Sequence, residues 1–240
     1  MSSTPEFGET WVYESIVMAL PGIEISTPVA ITIQIGLFEC GVLLSAWYYD
    51  LWSAVGAGTV AVLVAAVGSV EMLRISTLVR GNQMPEPYRR LLFGSSIEVV
   101  LGVLTFVAVL THLFVFDQAK LLHELLGPNP PVLVVYLLLL ILWDVSYRIG
   151  TGWWTSVTAL WRTLYYRGTF EADTARALRR ADIENISFGV LQLVLLPFLP
   201  NHTVLATALV AHVCAVSVVT GLSVVLLSKQ IADAGPPTAI

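Results

Sequence analysis

The sequence predicts an all-α integral membrane protein: a bundle of six transmembrane helices with both termini in the cytoplasm. Hydrophobic residues make up 56% of the 240 positions and charged residues only 12%, about half the charged fraction of a typical soluble domain. The apolar residues also form six blocks long enough for the ~20 residues that cross a hydrocarbon core. These blocks cover roughly residues 29–47, 52–73, 91–116, 132–152, 183–200 and 203–227.

Residues 1–28 precede the first span, and we interpret them as an interfacial segment. They contain no Lys or Arg, so no basic region of a cleaved signal peptide is present. A half-span from Trp11 to Ile25 would raise the count of spans to seven. Pro21, Gly22 and Glu24 inside that stretch favour a helix lying in the membrane interface instead.

The distribution of basic residues predicts the orientation of the domain formed by residues 29–227, because cytoplasmic loops carry an excess of Lys and Arg. Loops 74–90 and 153–181 are rich in arginine. The connections near 48–51, 117–131 and 197–203 contain a single basic residue, Lys120. We therefore place both arginine-rich loops in the cytoplasm, together with the tail 228–240.

Ionisable residues inside the spans define the candidate site, because a buried charge is costly unless it is paired or hydrated. Glu39 lies about midway between Pro28 and Trp47, near the midplane. Gln192 in the fifth span and His212 in the sixth reach a similar depth at ~1.5 Å per residue. We expect these three side chains to line one transport path. For Glu39 the alternative is a neutral carboxyl that only holds helices together.

The third span carries a polar stripe along almost its whole length. At ~100° per residue, one face collects Gly94, Ser95, Glu98, Gly102, Thr105 and His112. Glu98 lies toward the cytoplasm and His112 near the outer edge. We interpret the stripe as part of a water-lined path. The alternative is close packing of small residues against another helix.

The fourth span places a second polar group near its cytoplasmic end. Asp144, Tyr147 and Arg148 share one face, and Glu71 with Arg74 repeats the pairing of opposite charges in the second span. We predict that these residues form the cytoplasmic mouth of the path. Charge compensation at the membrane interface is the alternative.

The second span also has a face of small residues, which allows another helix to pack closely. Its members are Ala54, Gly58, Ala61, Ala65 and Gly68. The face predicts a tight helix contact, either within the chain or between two copies in a homo-oligomer.

Several kinds of chemistry find no support in the sequence. It contains no phosphate-binding loop, nucleophile elbow or zinc-protease helix, and we expect no cofactor and no nucleic-acid partner. His112 and His212 differ by ~8 Å in depth, which disfavours haem ligation. The identity of any metal stays open. Cys40 and Cys214 lie in spans and behave as small apolar residues.

We expect a channel or secondary transporter for protons or a small cation in the plasma membrane of a prokaryote. The pI near 5.3 and the preference for Arg over Lys are typical of a halophilic archaeon or of a GC-rich genome. A non-catalytic membrane subunit or scaffold is the first alternative. The second is a membrane enzyme acting on lipid or quinone, although the absence of a catalytic motif favours a protein that is not an enzyme.

Overall fold

A computed structural model describes residues 11, 27–82, 84–118 and 120–233, and this part of the chain is helical without any strand. The α-helices are α1 Thr27–Tyr49, α2 Trp52–Gly81, α3 Glu86–Phe93, α4 Ile97–Thr111, α5 Lys120–Leu126, α6 Val132–Tyr165, α7 Ala172–Leu191 and α8 Thr203–Asp233. A π-helical turn, His112–Phe116, continues α4, and a 3₁₀ segment, Gln192–Phe198, continues α7.

Within the described residues, six helical stretches are long and apolar enough to cross a membrane, in agreement with the six predicted blocks. They are Val29–Tyr49, Trp52–Gly81, Glu86–Phe116, Val132–Tyr165, Ala172–Phe198 and Thr203–Asp233. The alternative seventh segment, Trp11–Ile25, lies outside the described residues except for Trp11. The tail is described only as far as Asp233, where α8 ends.

The helices extend further than hydropathy predicts. α6 continues without a break through the first part of loop 153–181, and α7 begins at Ala172. Contacts with other helices explain the extension, because the Trp154 indole donates hydrogen bonds to the carbonyls of Leu91 and Leu92 at 3.1 and 3.2 Å. The connection between α6 and α7 is therefore only a short turn.

The spans alternate in direction, so the bundle has two distinct ends. The basic end contains the C-termini of α2, α6 and α8 and the start of α7. The far end contains the α1–α2 turn, α5 and the start of α8. At the basic end, Trp11 is fully buried. Its indole donates a hydrogen bond to the Met72 carbonyl at 3.3 Å, and its ring meets that of Phe93 edge-on.

Glycines on α2 and α6 allow the closest helix contacts. A β-carbon on Gly58 would lie 3.0 Å from Val42 of α1, and one on Gly68 would lie 2.9 Å from the Arg148 stem on α6. A β-carbon on Gly150 would collide with the backbone nitrogen of Gly102 on α4. Two glycines of the small-residue face on α2 thus make contacts within the chain.

Candidate functional site

A buried ion pair joins α6 to α7 near the basic end. Arg162 donates a hydrogen bond to Asp182 at 2.6 Å and another to the Tyr88 hydroxyl at 2.8 Å. The second oxygen of Asp182 accepts a hydrogen bond from Ser223 of α8 at 2.7 Å. All four side chains are at least 98% buried. Because each charge has a partner of opposite sign and a hydrogen bond, this group ties four helices together, α3, α6, α7 and α8.

Hydroxyl and amide groups continue this polar contact toward the middle of the bundle. Asn185 of α7 donates a hydrogen bond to Ser156 of α6 at 3.0 Å, and Thr220 of α8 donates to the same oxygen at 2.9 Å. The three residues are almost completely buried. They join α6, α7 and α8 one helical turn deeper than the ion pair.

A second set of buried polar groups runs between α1, α2, α6 and α7. Asp144 accepts hydrogen bonds from Arg148 at 3.0 Å and from Gln34 of α1 at 2.8 Å. Arg148 is 1% exposed and also lies 2.7 Å from the Met72 sulfur. This set therefore joins α6 to both α1 and α2.

Glu71 and Glu184 extend this set to the basic end. Glu71 is buried on α2 and interacts electrostatically with Glu184 of α7 and with Arg74. Glu184 pairs with Arg180 at 3.1 Å and with Arg74 at 3.6 Å. We name the whole set the ionisable seam. It consists of Gln34, Asp144, Arg148, Glu71, Glu184, Arg74 and Arg180.

Glu39 and Glu98, the two carboxylates predicted to lie on one path, have separate surroundings. Glu39 is half-buried and accepts a hydrogen bond from Thr59 of α2 at 2.7 Å. Glu98 is fully buried in the first turn of α4. Its backbone carbonyl would lie 2.8 Å from a β-carbon on Gly150. The half of the α4 stripe near Glu98 is thus a tight helix contact.

A cavity of about 460 Å³ lies among the spans in the far half of the bundle. Residues from α1, α2, α4, α5, α6, α8 and the 3₁₀ segment line it, and none of them is an Asp, Glu, Lys or Arg. The α6 lining forms one stripe of the helix and consists of Val134, Leu137, Leu138, Ile141, Leu142, Val145, Ile149 and Trp153. The polar side chains in the lining are few, chiefly Ser45, Thr105 and His212. We name this space the central cavity.

His212 is the most unusual polar group of the central cavity. Its ring centre lies 5.9 Å from that of Trp153. Both ring nitrogens are buried and have no hydrogen-bond partner in the part of the chain that the structure describes. Thr105, by contrast, donates its hydroxyl to the Leu101 carbonyl at 2.9 Å. An imidazole without partners is costly, because it has lost its bonds to water.

The other two residues predicted for the path lie outside the cavity lining. Gln192 is 2% exposed at the start of the 3₁₀ segment, and its carbonyl oxygen has no partner among the described residues. His112 begins the π-helical turn and is partly buried. Of the six predicted path residues, the cavity therefore brings together Thr105 and His212.

A histidine held between two carboxylates lies at the far end. His202, at the start of α8, is 4% exposed. Its Nδ1 lies 3.2 Å from Asp117, and its Nε2 lies 3.0 Å from Glu124 of α5. Asp117 also accepts a hydrogen bond from the Leu121 backbone N–H at 2.9 Å, which caps α5. The described residues contain no group of three or more His, Cys, Asp or Glu side chains placed to hold a metal.

Sequence reasoning singled out residues that the structure brings close together but missed several contacts. The predicted residues Asp144, Arg148, Glu71 and Arg74 all lie in the ionisable seam, and Tyr147 is buried beside them on α6. Arg162 was not singled out because it falls in a segment assigned to a loop. Hydroxyl side chains precede Arg162 in the sequence, at Thr155, Ser156 and Thr158. They could have indicated that this segment is a buried helix.

The geometry can be compared with known proteins. No curated protein and no solved structure matches the chain. A family described as a family of unknown function, DUF7530, matches residues 6–223. Because this match covers most of the sequence, the chain belongs to the DUF7530 family.

Proposed function

We propose that the protein is a membrane-embedded binding protein for a neutral, lipid-soluble molecule. The central cavity of about 460 Å³ carries this proposal. Small-molecule sites commonly measure about 300–1,000 Å³ and have mostly apolar walls. Helices that only pack together would leave little such space, because protein interiors rarely contain voids larger than a water molecule.

The lining indicates the class of ligand. A phosphate or ammonium group would lose its hydration in this cavity without meeting an opposite charge, which is strongly unfavourable. A carbonyl or hydroxyl group of the ligand needs only one hydrogen-bond partner, and the His212 ring would be that partner after turning toward the cavity. A quinone or a long-chain alcohol combines such a head group with an apolar body.

Blocking the cavity should abolish this binding. Ala108 of α4 lines the cavity, and Ala108→Phe would place an aromatic ring inside it. We expect the Kd for a benzoquinone with a decyl tail to rise about tenfold or more. The measurement is quenching of tryptophan fluorescence in nanodiscs, with mass spectrometry of organic extracts to identify any native ligand.

Val107→Phe is the matched control, because Val107 is 51% exposed and lies outside the cavity lining. This variant should bind the probe like the native protein. Equal affinity of the native protein and Ala108→Phe would contradict the proposal. So would a native protein that binds no probe and contains no neutral lipid in its extract.

Transport of protons or a small cation is a second candidate, supported by the ionisable seam. Buried ionisable groups in a membrane commonly mark ion pathways, and the seam leads from Arg180 at the basic end to Gln34. A cavity of about 10 Å³ beside the hydrogen-bonded Gln34 and Asp144 has room for about one water molecule. Glu39 lies further along α1, bonded to Thr59.

Proton flux into proteoliposomes under a pH gradient tests this candidate. We expect Glu71→Gln and Glu39→Gln to lose most of the flux, because each replaces a carboxyl group of the spans with an amide that cannot ionise. Glu98→Gln tests whether the path also includes α4. Glu86→Gln on α3 is the control, since its side chain is 61% exposed. Absence of flux in the native protein would exclude this function.

We also propose that the basic end faces the cytoplasm and that the membrane is the plasma membrane of a prokaryote. The arginines within residues 74–90 and 153–181, which lie on α2, α3, α6, α7 and the short turn between α6 and α7, support this orientation, because positive charge is retained on the cytoplasmic side.

A further inference from the structure

α5 covers the far end of the central cavity. It is an amphipathic helix of seven residues, Lys120–Leu126. Its apolar face is formed by Leu121, Leu122, Leu125 and Leu126, and all four line the cavity. The next residue is Gly127, with a φ of +80°. Such a short helix, followed by a glycine in a left-handed conformation, is joined to the bundle mainly by its side chains.

His202, at the start of α8, contacts α5 and the residue that caps it. One ring nitrogen meets Glu124 on α5 itself, and the other meets Asp117, which caps the first turn of α5. A carboxylate lies within hydrogen-bond distance of each ring nitrogen, so the one imidazole connects both carboxylates to the start of α8.

We propose that α5 is a lid over the central cavity and that His202 is the latch that holds it closed. That the lid admits a lipid-soluble molecule rests on the proposed function. The opening of the lid does not depend on that function, because the latch is formed by residues of this chain alone. Release of His202 would leave the weak contact of Ser53 with the Leu125 carbonyl at 3.4 Å and the leucine packing.

The charged groups around the ring define when the latch holds. Burial alone would raise the pKa of Asp117, but the Leu121 N–H, the His202 ring and nearby His112 together lower it below its ordinary value. The Asp117 contact is therefore present above that lowered pKa and is lost as the pH falls through it. The lid should therefore be more firmly closed above the lowered pKa of Asp117 than below it.

Hydrogen–deuterium exchange of the α5 amides, with no ligand added, tests the latch. We expect His202→Gln to exchange about tenfold or more faster across residues 120–126 than the native protein, because charge-assisted bonds are lost. Protection of the native lid, corrected for intrinsic exchange, should fall as the pH drops through the lowered pKa of Asp117. Glu124→Gln is a milder second variant that keeps Asp117 and should give a smaller increase.

His123→Gln is the matched control, since His123 lies on the same helix and is exposed. It should exchange like the native protein. Unchanged protection of α5 in both His202→Gln and Glu124→Gln would overturn the latch. Faster exchange in these variants, together with a failure of the native protein to bind the decyl benzoquinone, would retain the latch and remove only the proposed function.

Discussion

Buried polar residues of this protein differ in how far their hydrogen bonds are satisfied. Arg162 and Asp182 have each other and one hydroxyl partner each, and the Arg162 Nε is the atom of this pair that lacks a partner among the described residues. Such a pair mainly fixes which helices lie together. His212 and Gln192 have buried polar atoms without partners among the described residues. A binding function is therefore better sought near His212 than at the ion pair.

Counting residues along each helix gave an estimate of how deep each residue lies in the membrane, but it could not identify the neighbours of that residue. Glu39, Gln192 and His212 were expected to share a path because their heights are similar. Glu39 instead bonds to Thr59, whereas His212 lies beside Trp153. A position along a helix axis follows from counting residues, but the partner depends on how each helix is rotated and which helix lies next to it.

Among the helices, the contact between α4 and α6 depends on glycine. Gly150→Ala should destabilise the protein by about 1–3 kcal/mol, because the added methyl group meets the α4 backbone at Gly102 and Glu98. Gly36→Ala on α1 is the control, since a β-carbon there has no atom within 4 Å. Thermal unfolding in detergent should give a lower Tm for Gly150→Ala alone. Equal Tm values for both variants and the native protein would contradict this packing argument.

The ends of the helices show where hydropathy fails. α6 was expected to end near residue 152, where the apolar block gives way to hydroxyl, aromatic and charged residues, yet it continues to Tyr165. Polar residues in this extension form hydrogen bonds with other helices. Thr163, for example, is hydrogen-bonded to Ser223 of α8 at 2.7 Å. Hydropathy measures compatibility with lipid, so it cannot detect a polar helix that is surrounded by protein.

For the whole molecule, exposed aromatic side chains mark both membrane interfaces. Trp47, Tyr48 and Trp52 lie exposed at the far end, and Tyr165 lies exposed at the basic end. Tryptophan and tyrosine prefer the headgroup region, so these residues indicate how the bundle sits in the bilayer. The same alternation of spans puts the start of α1 and the end of α8 at the basic end.

Thiol labelling tests the proposed cytoplasmic placement of that end. Cys40 and Cys214 are free and exposed, so both would first be replaced by serine. A cysteine appended after Ile240 should then react with a membrane-impermeant maleimide only after the cells are opened, because arginines hold the basic end inside. Labelling in intact cells would show that the basic end faces outward, which would contradict the proposed orientation.

The sequence by itself determined that this is a membrane protein with six spans, and it located polar residues along each span. These properties follow from local composition, because the cost of placing a segment in lipid is close to a sum over its residues. Only the tertiary structure decided that Arg162 meets Asp182, that His202 joins Asp117 to Glu124, and that the far half of the bundle contains a partly open cavity. Such features depend on the relative rotation and height of helices that are distant in the chain.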